Sequence, residues 1–192
     1  WTSILDISDP RKPALLSTLM LENPQTHSHK VRVCGDIMVV NSEQRPQHGV
    51  KASDDFDEGG FKIYDTADKT NPKLITFYKT GGRGVHRFDM DDTYVYLSTE
   101  MEGYIGNILV IYDVKDPSKP KEVSRWHMPG QHLAGGEKPT WKGYKNRLHH
   151  ALRVGDEMWA SVWHAGFRVI DVSDIANPKT SPSTIITHRS RN

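Results

Sequence analysis

Three histidines stand at one place relative to three short apolar stretches. Asn41, Ser98 and Ser161 each close such a stretch, and His29, His86 and His149 each lie twelve residues before the marker. Two residues beyond it stand Glu43 and Glu100, and in the third copy Trp163 followed by His164. Imidazole nitrogen suits first-row transition metals, and three protein ligands with one open position is the usual layout of a catalytic metal. A nearby carboxylate accepts the second ring N–H of such a ligand and fixes its tautomer. The chemistry expected is that of a transition metal ion (Fe, Cu, Zn or Mn) held by His29, His86 and His149. Glu43 and Glu100 are expected to orient the ligands. His164 is a further candidate, and His27 and His150 flank the aligned positions as alternatives. A competing reading gives each repeated histidine a structural task, bonding a backbone carbonyl in every copy alike.

The elements that position these residues come from a second repeat. The sequence reads Ile4-Leu5-Asp6-Ile7-Ser8-Asp9, Ile63-Tyr64-Asp65-Thr66-Ala67-Asp68, Ile111-Tyr112-Asp113-Val114-Lys115-Asp116 and Ile170-Asp171-Val172-Ser173-Asp174. A Pro follows the first Asp by seven in each copy, at Pro13, Pro72, Pro120 and Pro178. The first Asp recurs at 6, 65, 113 and 171, in steps of 59, 48 and 58 residues. A fixed motif at such a period marks a propeller, a solenoid or an array.

Within residues 86–128 the period-two and apolar patterns predict four strands, His86–Met90, Thr93–Ser98, Ile108–Tyr112 and Glu122–Trp126. The unbroken run 108–112 reads as a strand covered on both faces. The Asp-x-x-Asp segment after it reads as a turn in which the Asp side chains cap backbone N–H groups. Residues 31–78 and 151–187 follow the same order. Four antiparallel strands without a helical period make one propeller blade. The fold class is therefore all-β, a β-propeller of four-stranded antiparallel blades forming part of a seven- or eight-bladed ring. The chain divides into a half blade (1–26) and three blades (27–82, 83–131 and 132–192), about fourteen strands. Half-rings leave unpaired edges, so the remaining blades are expected from a longer chain, or from a second copy. In a propeller the first strand of each blade lines the central channel, so the three register histidines would ring the axis.

The repeat resembles the LVIVD-repeat family of β-propellers. The likeness rests on Leu109-Val110-Ile111-Tyr112-Asp113-Val114-Lys115-Asp116-Pro117, on Phe167-Arg168-Val169-Ile170-Asp171-Val172-Ser173-Asp174, and on inner strands such as Ala151–Ala160. It implies the fold and leaves the activity open. Axial histidines gathered from several blades are similar in arrangement, though not in sequence, to those of carotenoid-cleaving oxygenases and of selenium-binding/methanethiol oxidase proteins. The connections 42–59 and 131–148 are longer than a minimal repeat and carry His48, Asp54–Glu58, His132, Lys138, Trp141 and Tyr144; long loops in compact domains often serve function.

Other motifs are excluded or given structural roles. Gly81-Gly82-Arg83-Gly84 is followed by no GK[ST] and opens no helix, so it reads as a close backbone approach rather than a phosphate loop. Cys34, the single cysteine, excludes a disulfide framework and reads as a buried inert thiol. With 25 basic and 24 acidic residues there is no basic stripe for nucleic acid. No apolar run reaches the ~18 residues of a membrane span.

Two functions are carried forward. One is a metal-dependent enzyme, an oxidoreductase or hydrolase acting on a small-molecule substrate at the channel. The other is a non-catalytic secreted or surface propeller serving as a binding and interaction module.

Overall fold

The structure, a computed structural model, describes residues 1–45, 56–142 and 146–186. His48, Asp54, Asp55 and Tyr144 lie outside the described residues. The chain is all-β, with one short 3-10 turn at Trp163–Ala165. Strands β1 (Thr2–Asp6) and β2 (Ala14–Leu19) pair as a hairpin. The first large sheet holds β3 (Thr26–His27), β4 (Val31–Cys34), β5 (Ile37–Gln44), β6 (Gly60–Asp65) and β7 (Lys73–Lys79). Here β3 and β4 both pair with β5, forming an interrupted inner strand. The second sheet runs β8 (Val85–Met90), β9 (Tyr94–Thr99), β10 (Ile108–Asp113), β11 (Lys121–Trp126). The third runs β12 (Leu148–Val154), β13 (Glu157–Val162), β14 (Gly166–Asp171), β15 (Lys179–Ile186). All pairings are antiparallel and, apart from β3 with β5, sequential, the arrangement of propeller-like blades.

Two differences from the sequence reading have local causes. The broken inner strand of the first sheet adds β3, so fifteen strands are described rather than about fourteen. The last strand begins at Lys179, five residues before the Thr184–Thr187 run that the strand preferences of the sequence single out. Pro182 reads as a strand breaker, yet β15 is the outer strand, where a missing N–H breaks no ladder bond.

Alternation along the middle sheet divides the core in two. Val95, Leu97, Ile108, Val110 and Tyr112 pack with Val39, Phe61 and Ile63 of the first sheet. Tyr96, Leu109 and Ile111 face the other way and pack with Met158, Ala160 and Ile170 of the third. Both faces of β10 are covered, so Ile108 to Tyr112 are all buried. Each such large side chain contributes roughly 1.5–3 kcal/mol through burial.

Polar contacts repeat with the sheets. The first Asp of every turn accepts a backbone N–H two residues on: Ser8 to Asp6, Ala67 to Asp65, Lys115 to Asp113 and Ser173 to Asp171, each at 2.9 Å. The second Asp does the same at Asp9, Asp68, Asp116 and Asp174. These are Asx turns, and they place the Asp pairs outside the channel chemistry. Ser17 Oγ donates to the turn carbonyl of Lys69 at 2.8 Å, and Ser124 Oγ to that of Ile175 at 2.6 Å. Equivalent outer-strand hydroxyls thus tie the β1–β2 hairpin to the turn of the first large sheet and the second sheet to the turn of the third. No helix among the described residues is long and apolar enough to cross a membrane.

Candidate metal centre

Each register histidine sits where its inner strand is irregular. In β8, Val85 pairs with Thr99 and Arg87 with Ser98, leaving His86 as the extra residue of a bulge. In β12, Leu148 pairs with Val162 and His150 with Ser161, leaving His149 extra. In the first sheet, His29 lies in the break between β3 and β4, where 28–30 span the two positions 41 and 42 of β5. A bulge bends the strand and re-aims one side chain. The chain therefore turns one imidazole out of the ladder in each of three sheets.

The markers at the ends of the second strands hold these bulges. Asn41 is buried, and its Oδ1 accepts the N–H groups of both His29 and Lys30 at 2.9 Å. Its Nδ2 donates to Val85 O at 2.8 Å, the carbonyl just before His86. Ser98 Oγ donates to Leu148 O at 2.9 Å, the carbonyl just before His149. Asn41 and Ser98 thus each fix the backbone that presents the next sheet's histidine.

The rings form a row rather than a single convergent triad. His27 stacks on His29 with centroids 4.5 Å apart, His29 lies 5.4 Å from His86, and His86 lies 5.2 Å from His149. Trp163 closes the row, edge-on to His149 at 5.4 Å. Glu43 is the hub of its first half. Both its oxygens accept from His86 Nδ1, Oε1 at 2.9 Å and Oε2 at 3.2 Å. Its Oε2 lies 3.5 Å from His27 Nε2 and 3.7 Å from His29 Nδ1.

Those last separations are too long for good hydrogen bonds. They match instead the ~3.4 Å between two donors each about 2.1 Å from one tetrahedral ion. Among the described residues, His27, His29 and Glu43 are the group whose ligand atoms all lie within 4.8 Å of one another. Burial, outweighing the pull of Glu43, lowers the pKa of His29 to about 4, so it is neutral near pH 7. Its Nδ1 lies 3.3 Å from Asn41 Nδ2, a longer contact than the 3.1 Å bond on His149 and one that an ion would displace. His27 Nδ1 is buried without a hydrogen-bond partner.

The other expected residues are placed differently. His149 accepts a hydrogen bond from Arg87 Nε on its Nε2 at 3.1 Å, so that lone pair is engaged. Burial, and then Arg87, lowers its pKa to about 4. His150 points to the neighbouring sheet, its Nε2 donating to Phe88 O at 3.1 Å, a structural histidine. His164 is exposed in the 3-10 turn. Glu100 accepts the backbone N–H of Arg83 at 3.1 Å instead of an imidazole. The geometry thus moves His27 from a flanking position to the centre. Its signal in the sequence was the His-x-His spacing of 27 and 29, which no other repeat shares.

A cavity of about 290 Å³ opens beside this group. Its lining joins His27, Glu43 and His86 to Arg83, Glu100 and Arg147. The glycine-rich segment before His86 makes this approach possible. A Cβ on Gly84, where φ is +84°, would lie 2.2 Å from Ser42 O, so the loop meets β5 backbone to backbone as the sequence led us to expect.

Comparison with known protein families agrees with the repeat. The LVIVD repeat model matches residues 3–20, 103–127 and 158–184, so the chain carries LVIVD repeats. A search of curated proteins returns no match.

Proposed function

Starting from a chain of LVIVD repeats, we propose that this propeller-like protein is a metal-dependent enzyme, an oxidoreductase or hydrolase, with its metal held by His27 Nε2, His29 Nδ1 and Glu43 Oε2. The observation that carries the reading is the double engagement of Glu43. Its Oε2 faces the two imidazoles at ion-bridging distance, while His86 Nδ1 bonds Oε1 at 2.9 Å and reaches Oε2 at 3.2 Å. A carboxylate takes only acceptor roles, so His86 carries its proton on Nδ1 and leaves Nε2 as a base. His86 also lines the cavity, where a substrate or water would sit. Three protein ligands leave a position open on the ion, which when bound would polarise a small substrate or activate water or oxygen. His86 would then take or return a proton, positioned by Glu43 as a carboxylate positions a catalytic histidine elsewhere.

Donor type supports Zn, Fe, Cu or Mn over calcium, which takes six to eight oxygen ligands. The experiment is a screen of metal-loaded and chelator-stripped protein against hydrolytic and oxidative probe substrates. Turnover that vanishes on stripping and returns with one equivalent of metal is expected. Bound metal without turnover in either screen would leave a metal-holding interaction module in place of the enzyme.

A further inference from the structure

The cavity beside His86 holds two cations that the metal proposal does not use. Arg83 is pinned at its backbone, with its carbonyl accepting Gln44 N–H at 2.8 Å and its N–H donating to Glu100. Its guanidinium is left over, and Nε is buried with no hydrogen-bond partner. A buried donor without an acceptor costs free energy unless a ligand supplies one. Arg147 lies across the same cavity lining, its guanidinium 4.7 Å from the Trp163 ring. That cation–π contact uses the face of the guanidinium and leaves its N–H donors available to a ligand. Among the described residues neither arginine has a carboxylate within ion-pair distance. Arg87 adds a third positive charge nearby, on His149.

We propose that this cavity binds a small molecule through an oxyanion, a carboxylate or phosphate group gripped by Arg83 and Arg147, with the rest of the molecule directed at the His27–His29–Glu43 group. The orientation rests on the metal-site reading; the anion grip does not. Guanidinium forks match planar or tetrahedral oxyanions with two parallel N–H bonds, and such charge-assisted bonds are the strong ones. A cavity of about 290 Å³ fits a compact substrate, not a polymer segment. The Gly81-Gly82-Arg83-Gly84 segment acquires a purpose in this account. Its glycines let the backbone press onto β5 and Glu100, which aims one arginine inward. A Cβ on Gly82 would meet Glu100 at 3.0 Å, so the grip depends on glycine there as well as at Gly84.

Calorimetric titration of the full chain with inorganic phosphate, with malonate and with neutral N-methylacetamide tests this, on metal-free and cobalt-loaded protein. Cobalt affinity is read on the same samples by its visible absorption. Saturable binding of phosphate or malonate is expected in both forms, tighter with cobalt, and none of the amide. Preference for phosphate assigns a phosphate ester; preference for malonate assigns a carboxylate. Arg83→Gln and Arg147→Gln should each weaken the anion about tenfold or more while cobalt affinity and the far-UV spectrum stay unchanged. A wild-type protein that takes cobalt but no anion, or variants that bind the anion as tightly as wild type, would overturn the inference. Arginine-dependent anion binding in a protein that takes no cobalt would uphold it and remove the metal reading alone.

Discussion

His86 on β8 and Glu43 on β5 meet at 2.9 Å across the boundary between two sheets. The contact couples an inner strand of one repeat to the second strand of the repeat before it. His86→Ala should leave the ligand group intact and loosen only the orientation of Glu43. Metal affinity should then fall by about 10- to 100-fold, as for other supporting partners of metal ligands. Glu43→Gln removes an ionised ligand and should cost more than His86→Ala. Competition with a fluorescent zinc chelator ranks the two, and the reverse order would place His86 on the metal and Glu43 behind it.

Asn41 is a second buried hub of the site. It is 1% exposed and serves His29 N, Lys30 N and Val85 O at once. Asn41→Ala strands these groups in the interior, and each costs about 1–3 kcal/mol when left unsatisfied. A loss of at least about 2 kcal/mol is expected in urea denaturation. Ser98→Ala frees Leu148 O from one neutral hydroxyl partner and should cost less, on the order of 1 kcal/mol.

The metal-free protein should lose stability in mild acid. The histidine pKa is ordinarily 6.5, and burial holds His29 and His149 at about 4 in the folded chain. Between those values the unfolded chain takes up protons that the folded chain refuses. The stabilising effect is complete above about pH 6.5 and is lost as pH falls toward 4. Thermal midpoints should be level from pH 8 to 7 and drop by pH 5, with a smaller drop in His149→Asn. Equal drops in both proteins would show that His149 does not carry the effect.

Much of this fold was legible in the sequence, and for physical reasons. The Asp-x-x-Asp turns are local devices, so their spacing reports the period directly. The apolar run at 108–112 reports a strand with two covered faces, which the divided core bears out. Strand ends that depend on pairing were less visible. The interrupted β3–β4 strand exists because one extra residue must be absorbed opposite β5, and Pro182 is tolerated because β15 is outermost. In the candidate site the register of His29, His86 and His149 was legible. The bulges that turn those residues out were not, because a bulge shows only when two strands are laid side by side. Nor could the sequence show that Arg87 occupies His149, or that the unrepeated His27 stacks on His29.

The divided core gives a prediction independent of the site. Ile111 is fully buried between the second and third sheets, whereas Leu5 is 50% exposed. Ile111→Ala should destabilise by roughly 2–5 kcal/mol through lost burial and a cavity. Leu5→Ala should stay within about 1 kcal/mol. Similar effects at both positions would mean that the sheet of β1 and β2 is packed more tightly than its exposure indicates.

The central claim is that His27, His29 and Glu43 hold one transition metal ion. Titration of the metal-free protein with cobalt(II), followed by its ligand-field bands, tests it most directly. Wild type should saturate at one equivalent with the absorption of a four-coordinate nitrogen and oxygen site. His27→Ala, His29→Ala and Glu43→Ala should each abolish those bands, and His150→Ala should keep them, with folding checked by circular dichroism. Absence of saturable binding in wild type, or one-equivalent binding that survives all three substitutions, would contradict the claim.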